Sequence, residues 1–427
     1  MLAILALLLT LALAGCGSDG DVLRAQRPAA TATPSSGSAS QLAPITTPVE
    51  KPPADLAPPP GGDELSQLST EMQLELAIVP VRDLRDLALR INPKYDQIPA
   101  VVNDKPPVYQ IGDRQIFWAH DLDANSAFTV TAELVDETDV AHVWVEVDGD
   151  EPNYDAENVQ ASIDRFSRVS YPAEVKLFGG EWNPGVDDDP KLNILHASGL
   201  GGSVAGYYSS ADEYSRLANP FSNEKEMFYV NLDWLNGTGD YDFYETVLAH
   251  EFQHMIHWYR DRNEETWLNE GLSEFAQEVA GYDPDTVFAR TFADEPDTQL
   301  NDWRDTSQPN DVHYGSAYLF VSYLNQRFGP ELIRALVAHP ANGMAGLDAV
   351  LQAAGLDLTA DDVFADWVIA NYADDPNALG ANGLYGYQHL AQAPPRLEAT
   401  IDNYPAEIGP TTVHNYATDY YLFEGEG

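Results

Sequence analysis

The chain has 427 residues, 44% of them hydrophobic, which suits two or three folded domains with a sizeable core rather than a disordered polymer. Its charge is lopsided: 22 Lys and Arg stand against 68 Asp and Glu, a formal net charge of −46. Such a surface repels phosphate backbones and anionic headgroups, so nucleic acid is excluded as a partner and membrane contact is expected only through a covalent anchor.

The opening residues MLAILALLLTLALAGC carry an apolar run, Leu2 to Leu13, too short to span a bilayer comfortably and of the size of a signal-peptide core. The ending Leu13-Ala14-Gly15-Cys16 resembles the bacterial lipobox. That resemblance implies a lipoprotein-type signal over 1–16, lipidation of Cys16 and a cell-envelope protein facing away from the cytoplasm. No Lys or Arg precedes the run, and an ordinary cleaved signal, hence a secreted protein, is the other reading. Cys16 is the only cysteine, so a tightly held metal must use His and carboxylate ligands. Residues 17–62, with TATPSSGSAS and LAPPPGG, lack the apolar content to fold and read as a disordered tether.

Residues 63–150 read as a small β-rich module: a helical stretch SQLSTEMQLELA, then strands RQIFWAHDL, AFTVTAELV and AHVWVEVDG. His120 and His142 sit singly among strand residues and read as structural. Over 151–395 the pattern becomes mixed. DAENVQASIDRFSRVSYPAEVKLFG reads as a helix followed by a strand, and KLNILHAS, SVAGYYSSADEY and EMFYVNLDW as strands. VDDDP, with Asp187 to Asp189, reads as an acidic turn, calcium binding being the weaker alternative. GLGG precedes no helix and is no phosphate loop. DYDFYETVLAHEFQHMIHWYRD predicts a long helix, followed by helices at TWLNEGLSEFAQEVAG, HYGSAYLFVSYLNQRFG, PELIRALVAH, MAGLDAVLQAAG and ADDVFADWVIANY. Residues 396–427 turn strand-like again and are expected to pair with the N-terminal module or to belong to a longer chain. The fold class is α+β, strand-rich above and helical below.

One stretch carries chemistry. His250-Glu251-Phe252-Gln253-His254 is H-E-x-x-H, whose four-residue spacing puts both imidazoles on one helical face, within reach of a single ion. Glu251, about 100° round the helix, can touch a water at that ion without being a ligand. A catalytic zinc takes three protein ligands and keeps a position open. Glu270, sixteen residues after His254, is the expected third ligand, with Glu264 and Glu265 as rivals in the polar connection RDRNEET. Glu274, one turn beyond Glu270, can accept from the outer nitrogen of a ligating histidine. His257 is expected to lie too far along the axis to join, and Asp261, Glu264 and Glu265 to be solvated.

HEFQH followed by NEGLSE resembles the gluzincin metallopeptidases, and HEFQHMIH with WLNEGLSE most resembles the hyicolysin-type neutral metallopeptidases of bacteria. The resemblance covers about thirty residues. It implies a zincin-like catalytic domain (mixed sheet, HExxH helix, helical lower half), one Zn²⁺ on His250, His254 and Glu270, Glu251 as general base and Glu274 as support. It also implies a Tyr or His after the Glu helix that stabilises the oxyanion; Tyr314 is the first choice and His313 the second. The G-x-M-E-N stretch of the aminopeptidase branch is missing, and so is the longer metzincin pattern. The expected activity is therefore hydrolysis of proteins or peptides by a zinc endopeptidase, with the segment from Ser203 to Tyr214 as an edge for an extended substrate. Two other readings stay open: a lipid-anchored binding or adhesion protein with a structural or relict metal site, and a zinc aminopeptidase.

Overall fold

The computed structural model describes residues 21–24, 70, 81–149, 151–202, 204–283, 286–303, 310–377 and 383–425. The signal segment, most of the tether and most of the stretch SQLSTEMQLELA lie outside the described residues. In chain order the elements are β1 (Asp21–Arg24), α1 (Leu84–Ile91), β2 (Arg114–Asp121), β3 (Ser126–Glu137), β4 (Ala141–Asp148) and β5 (Glu151–Pro152). They continue with α2 (Ala156–Arg165), α3 (Tyr171–Phe178), β6 (Leu192–Ala197), β7 (Val204–Tyr208), β8 (Met227–Asn231), α4 (Leu232–Thr238) and α5 (Tyr241–Arg260). The helical half follows: α6 (Thr266–Val279), α7 (Thr286–Asp294), α8 (Asp311–Phe328), α9 (Pro330–Val337), α10 (Gly343–Ala353) and α11 (Ala360–Ala373), then β9 (Leu397–Ile401) and β10 (Tyr420–Phe423). The class is mixed α+β.

One curled, mixed sheet holds most of the strands in the order β1-β7-β8-β6-β4-β3-β2, with β5 paired to β4. β4, β6 and β8 run parallel to one another; the outer pairings are antiparallel. β6 and β8 are buried at every position, as parallel strands covered on both faces must be. β3, near the edge, alternates buried and accessible residues along its centre. The division expected at residue 150 does not separate two sheets. Ala141 to Val145 of β4 is a fully buried run, and it finds its second neighbour in β6, where Ala141 faces Leu192. The segment AEVKLFG is also not a strand: Pro172 opens α3, and the helical path from α2 continues through a π turn at 166–170.

The helix α5 lies beneath this sheet, against β7 and β8. Asp240 caps it, its carboxylate accepting from the Phe243 N–H at 3.0 Å, and His257 and Arg260 stand in its last turn, where the helix dipole favours positive charge. His196 of β6 fastens sheet to helix. Its Nδ1 lies 3.1 Å from the Trp144 carbonyl and its Nε2 2.7 Å from the Tyr244 hydroxyl. Burial pushes the pKa of this imidazole down to about 4, so it is neutral and can donate on one side while accepting on the other.

In the helical half, α6 and α7 both pack on α8. At Gly315 the approach is so close that a Cβ would sit 2.0 Å from the Phe288 carbonyl oxygen, which only glycine permits. The C-terminal strands β9 and β10 form their own parallel pair. They do not reach the N-terminal strands because they are held on the helical half, where Tyr420 stacks on Tyr372 with ring centroids 5.6 Å apart and its hydroxyl donates to the Val368 carbonyl. Among the described residues no helix is long and apolar enough to cross a membrane.

Candidate metal centre

His250 and His254 project from one face of α5 with their Nε2 atoms 3.0 Å apart. From α6, the Glu270 Oε2 lies 3.4 Å from His250 Nε2 and 3.8 Å from His254 Nε2. These are the only His, Cys, Asp or Glu atoms among the described residues that gather closely enough for one ion, and all three residues are buried. Zinc bonds to imidazole nitrogen and carboxylate oxygen run near ~2.0–2.1 Å, so the edges of a tetrahedral donor set are about 3.3 Å. The observed triangle of 3.0, 3.4 and 3.8 Å brackets that length. Two imidazoles and a carboxylate, with no thiolate, are zinc-type donors, and the residues present fit that ion.

The outer nitrogens fix which ring atoms face inward. His250 Nδ1 lies 3.2 Å from Glu274 Oε1, the partner expected from the spacing. His254 Nδ1 has two neighbours, Ser273 Oγ at 2.9 Å and Asn269 Oδ1 at 3.2 Å. Ser273 in turn donates to Gln253 Oε1 at 2.5 Å, so its oxygen lone pairs are free to accept from the imidazole N–H. Both rings thereby present their Nε2 lone pairs to Glu270. Burial by itself would lower the pKa of His250, yet its hydrogen bonds to Glu270 and Glu274 and the charges of Glu274 and Glu251 hold it well above the ordinary imidazole value. Glu174 of α3, buried behind this helix, is held well above the carboxylate range by burial, despite the favourable charge of His250.

Glu251 is buried on the same helix, one residue from His250. Its position relative to the sheet is set by Gly206 of β7. A Cβ on Gly206 would lie 2.7 Å from Val247 Cγ1 and 3.6 Å from Glu251 Cγ, so bare strand backbone passes directly over the glutamate. Tyr314, on α8, brings its ring to 6.4 Å from that of His250, centroid to centroid, and is itself stacked on Phe288 and edged by Trp303. His313 packs instead beside Trp303, at 5.7 Å. Of the two oxyanion candidates, the described ring contacts place only Tyr314 against a candidate ligand, His250.

Several expectations need correction. Asp261 and Glu264 are not solvated: burial pushes their pKa values up to about 6 and about 8, respectively. The connection folds under the start of α10, where the Gly343 N–H donates to Glu264 Oε1 at 2.7 Å, and Glu264 is not among the residues that gather for one ion. Glu265, by contrast, is exposed as expected, and it accepts from the indole N–H of Trp267 at 2.7 Å. His257 stays out of the ligand group but is not idle, since its Nδ1 lies 2.9 Å from the same Asn269 oxygen that His254 uses. In the acidic turn, Asp187 pairs with Lys225 at 3.2 Å and Asp189 with His142 at 3.1 Å, so both carboxylates have protein partners. His142 is therefore structural, as its isolation in a strand suggested. The parts missed by sequence reasoning are Gln253, Asn269 and Ser273. Ser273 was within reach, because it lies three residues after Glu270 and hence on nearly the same face of α6.

Comparison with protein-family models gives no match to this chain, and comparison with curated proteins gives none either.

Proposed function

We propose that the protein is a zinc-dependent endopeptidase with a zincin-like catalytic domain, hydrolysing peptide bonds in proteins from a position in the cell envelope. The observation that carries the reading is the buried His250–His254–Glu270 triangle with Glu251 beside it on the same helix. When bound there, zinc supplies Lewis acidity, polarising a carbonyl oxygen and making a water easier to deprotonate. Glu251 takes the proton from the attacking water and returns it to the leaving amine. Glu274 and Ser273 hold the two imidazoles in the tautomer that leaves Nε2 free, and Tyr314 donates to the developing oxyanion. Burial of the centre excludes competing water and strengthens each of these charge interactions.

Glu251→Gln preserves shape and removes the base. The variant is expected to bind zinc like the wild type and to lose cleavage of casein, an unstructured protein, by at least about 10²–10⁴-fold, the range of general-base contributions. Undiminished cleavage by that variant refutes the assignment. A wild-type protein that is folded and zinc-loaded yet cleaves no unstructured protein supports the binding or adhesion alternative instead.

A further inference from the structure

β7 is the sheet edge that passes over Glu251, and its outer side is not empty. β1 pairs with it antiparallel, with Asp21 opposite Tyr208, Val22 opposite Tyr207, Leu23 opposite Gly206 and Arg24 opposite Val204. Among the described residues β1 pairs with no other strand, and it runs close to α5. Leu23 thus stands opposite the very glycine whose backbone covers the Glu251 side chain. Tyr208, the partner of Asp21, shares the lining of a small cavity with His254. A four-residue segment from the beginning of the chain therefore lies extended along the candidate active site.

We infer that Asp21–Arg24 is a built-in competitor: it fills the outer edge of β7, the edge along which an extended substrate is expected to pair, and substrate must displace it. The inference rests on the peptidase reading for its functional meaning. An edge strand recognises a partner through backbone N–H and C=O groups, so any extended peptide without proline at the pairing positions can take the same register. The substrate class is accordingly unfolded or loosely structured polypeptide, presented antiparallel to β7. A single four-residue strand paired on one side is a weak structure by itself, and what favours it here is that it is tethered to the surface it pairs with. Affinity for an outside peptide is reduced by the fraction of molecules in which the edge is already filled.

The test uses the full chain in the Glu251→Gln background, so that nothing is cleaved. Val22→Pro with Leu23→Pro removes two N–H groups and stiffens the segment without touching the site. The probe is a labelled synthetic peptide copying residues 18–25. Hydrogen exchange is expected to show protected amides at 21–24 and 206–208 in the parent, and in the proline variant loss of protection at 21–24 and at those amides of 206–208 that face β1 rather than β8. The probe is expected to bind the proline variant at least tenfold more tightly and to restore protection at 206–208. In the active background, the same two substitutions are expected to lower KM for casein with kcat nearly unchanged. Equal probe affinity and equal exchange in parent and proline variant overturn the inference. Loss of the peptidase reading shows separately, as a wild-type protein that hydrolyses nothing while its exchange pattern is as expected.

Discussion

Stripping metal from the His250–His254–Glu270 centre is expected to lower the melting temperature, and to do so more at high pH than at low pH. A ligand that binds only the folded state and is present at a thousand times its dissociation constant stabilises by about 4 kcal/mol. For a domain of this size, each kcal/mol moves the midpoint by ~2–4 °C, so chelation at pH 8 is expected to cost about 8–16 °C. The pH dependence follows from His250. In the metal-free protein, Glu270 and Glu274 hydrogen bonds outweigh burial and raise its folded pKa above the unfolded value of about 6.5. Its protonation therefore stabilises the metal-free fold fully below about pH 6.5, and that contribution fades as pH rises through the folded value. Zinc needs the neutral ring and releases that proton, so zinc-dependent stabilisation is expected to grow from pH 5.5 to pH 8. Differential scanning calorimetry of chelated and zinc-supplemented protein at the two pH values checks both signs. An unchanged midpoint on chelation at pH 8, or a zinc effect larger at pH 5.5, refutes the reasoning.

Three further outcomes are expected. Tyr314→Phe removes only a hydroxyl and is expected to lower kcat about 10²-fold or more while zinc content and KM stay near wild type; loss of zinc from this variant would mean that the residue supports the ligands instead. Ser273→Ala breaks the link from His254 to Gln253 and is expected to weaken zinc binding ~10–100-fold in competition with a chromophoric chelator; unchanged affinity would leave Asn269 as the sole support of that ring. Gly315→Ala drives a methyl into the Phe288 carbonyl and is expected to cost about 3 kcal/mol or more in urea unfolding, because backbone on both sides must move; a cost below 1 kcal/mol would show that α7 and α8 separate easily.

What could be seen in the sequence was whatever repeats locally. The spacing within HEFQH and the sixteen residues from His254 to Glu270 state the metal triangle, and helical periodicity states α5, α6 and α8 to α11. The helix α7 was missed because TVFARTFAD is short, with its supporting contacts on a distant helix, at Gly315. The parallel pairing of β4 with β6 was hidden for a related reason: strands joined through two helices leave no turn signature between them. Burial of Asp261 and Glu264 was likewise invisible. Charged residues in a connection look solvated until a remote element, here the start of α10, is known to cover them. Asn269 and Gln253 matter only through what they touch across α5 and α6, and pattern alone assigns no role to a single amide.

The pairing of β1 with β7 also has a consequence for where the protein works. On a chain lipidated at Cys16, four residues separate the anchor from Asp21, and the five residue steps reach at most about 18 Å when fully extended. While β1 is docked, that edge of the cleft can stand no higher than that above the bilayer, within easy reach of polypeptide at the membrane surface. On the peptidase reading, one strand pairing would then set the molecule's altitude together with its access, parking the idle form low and letting the engaged one reach outward.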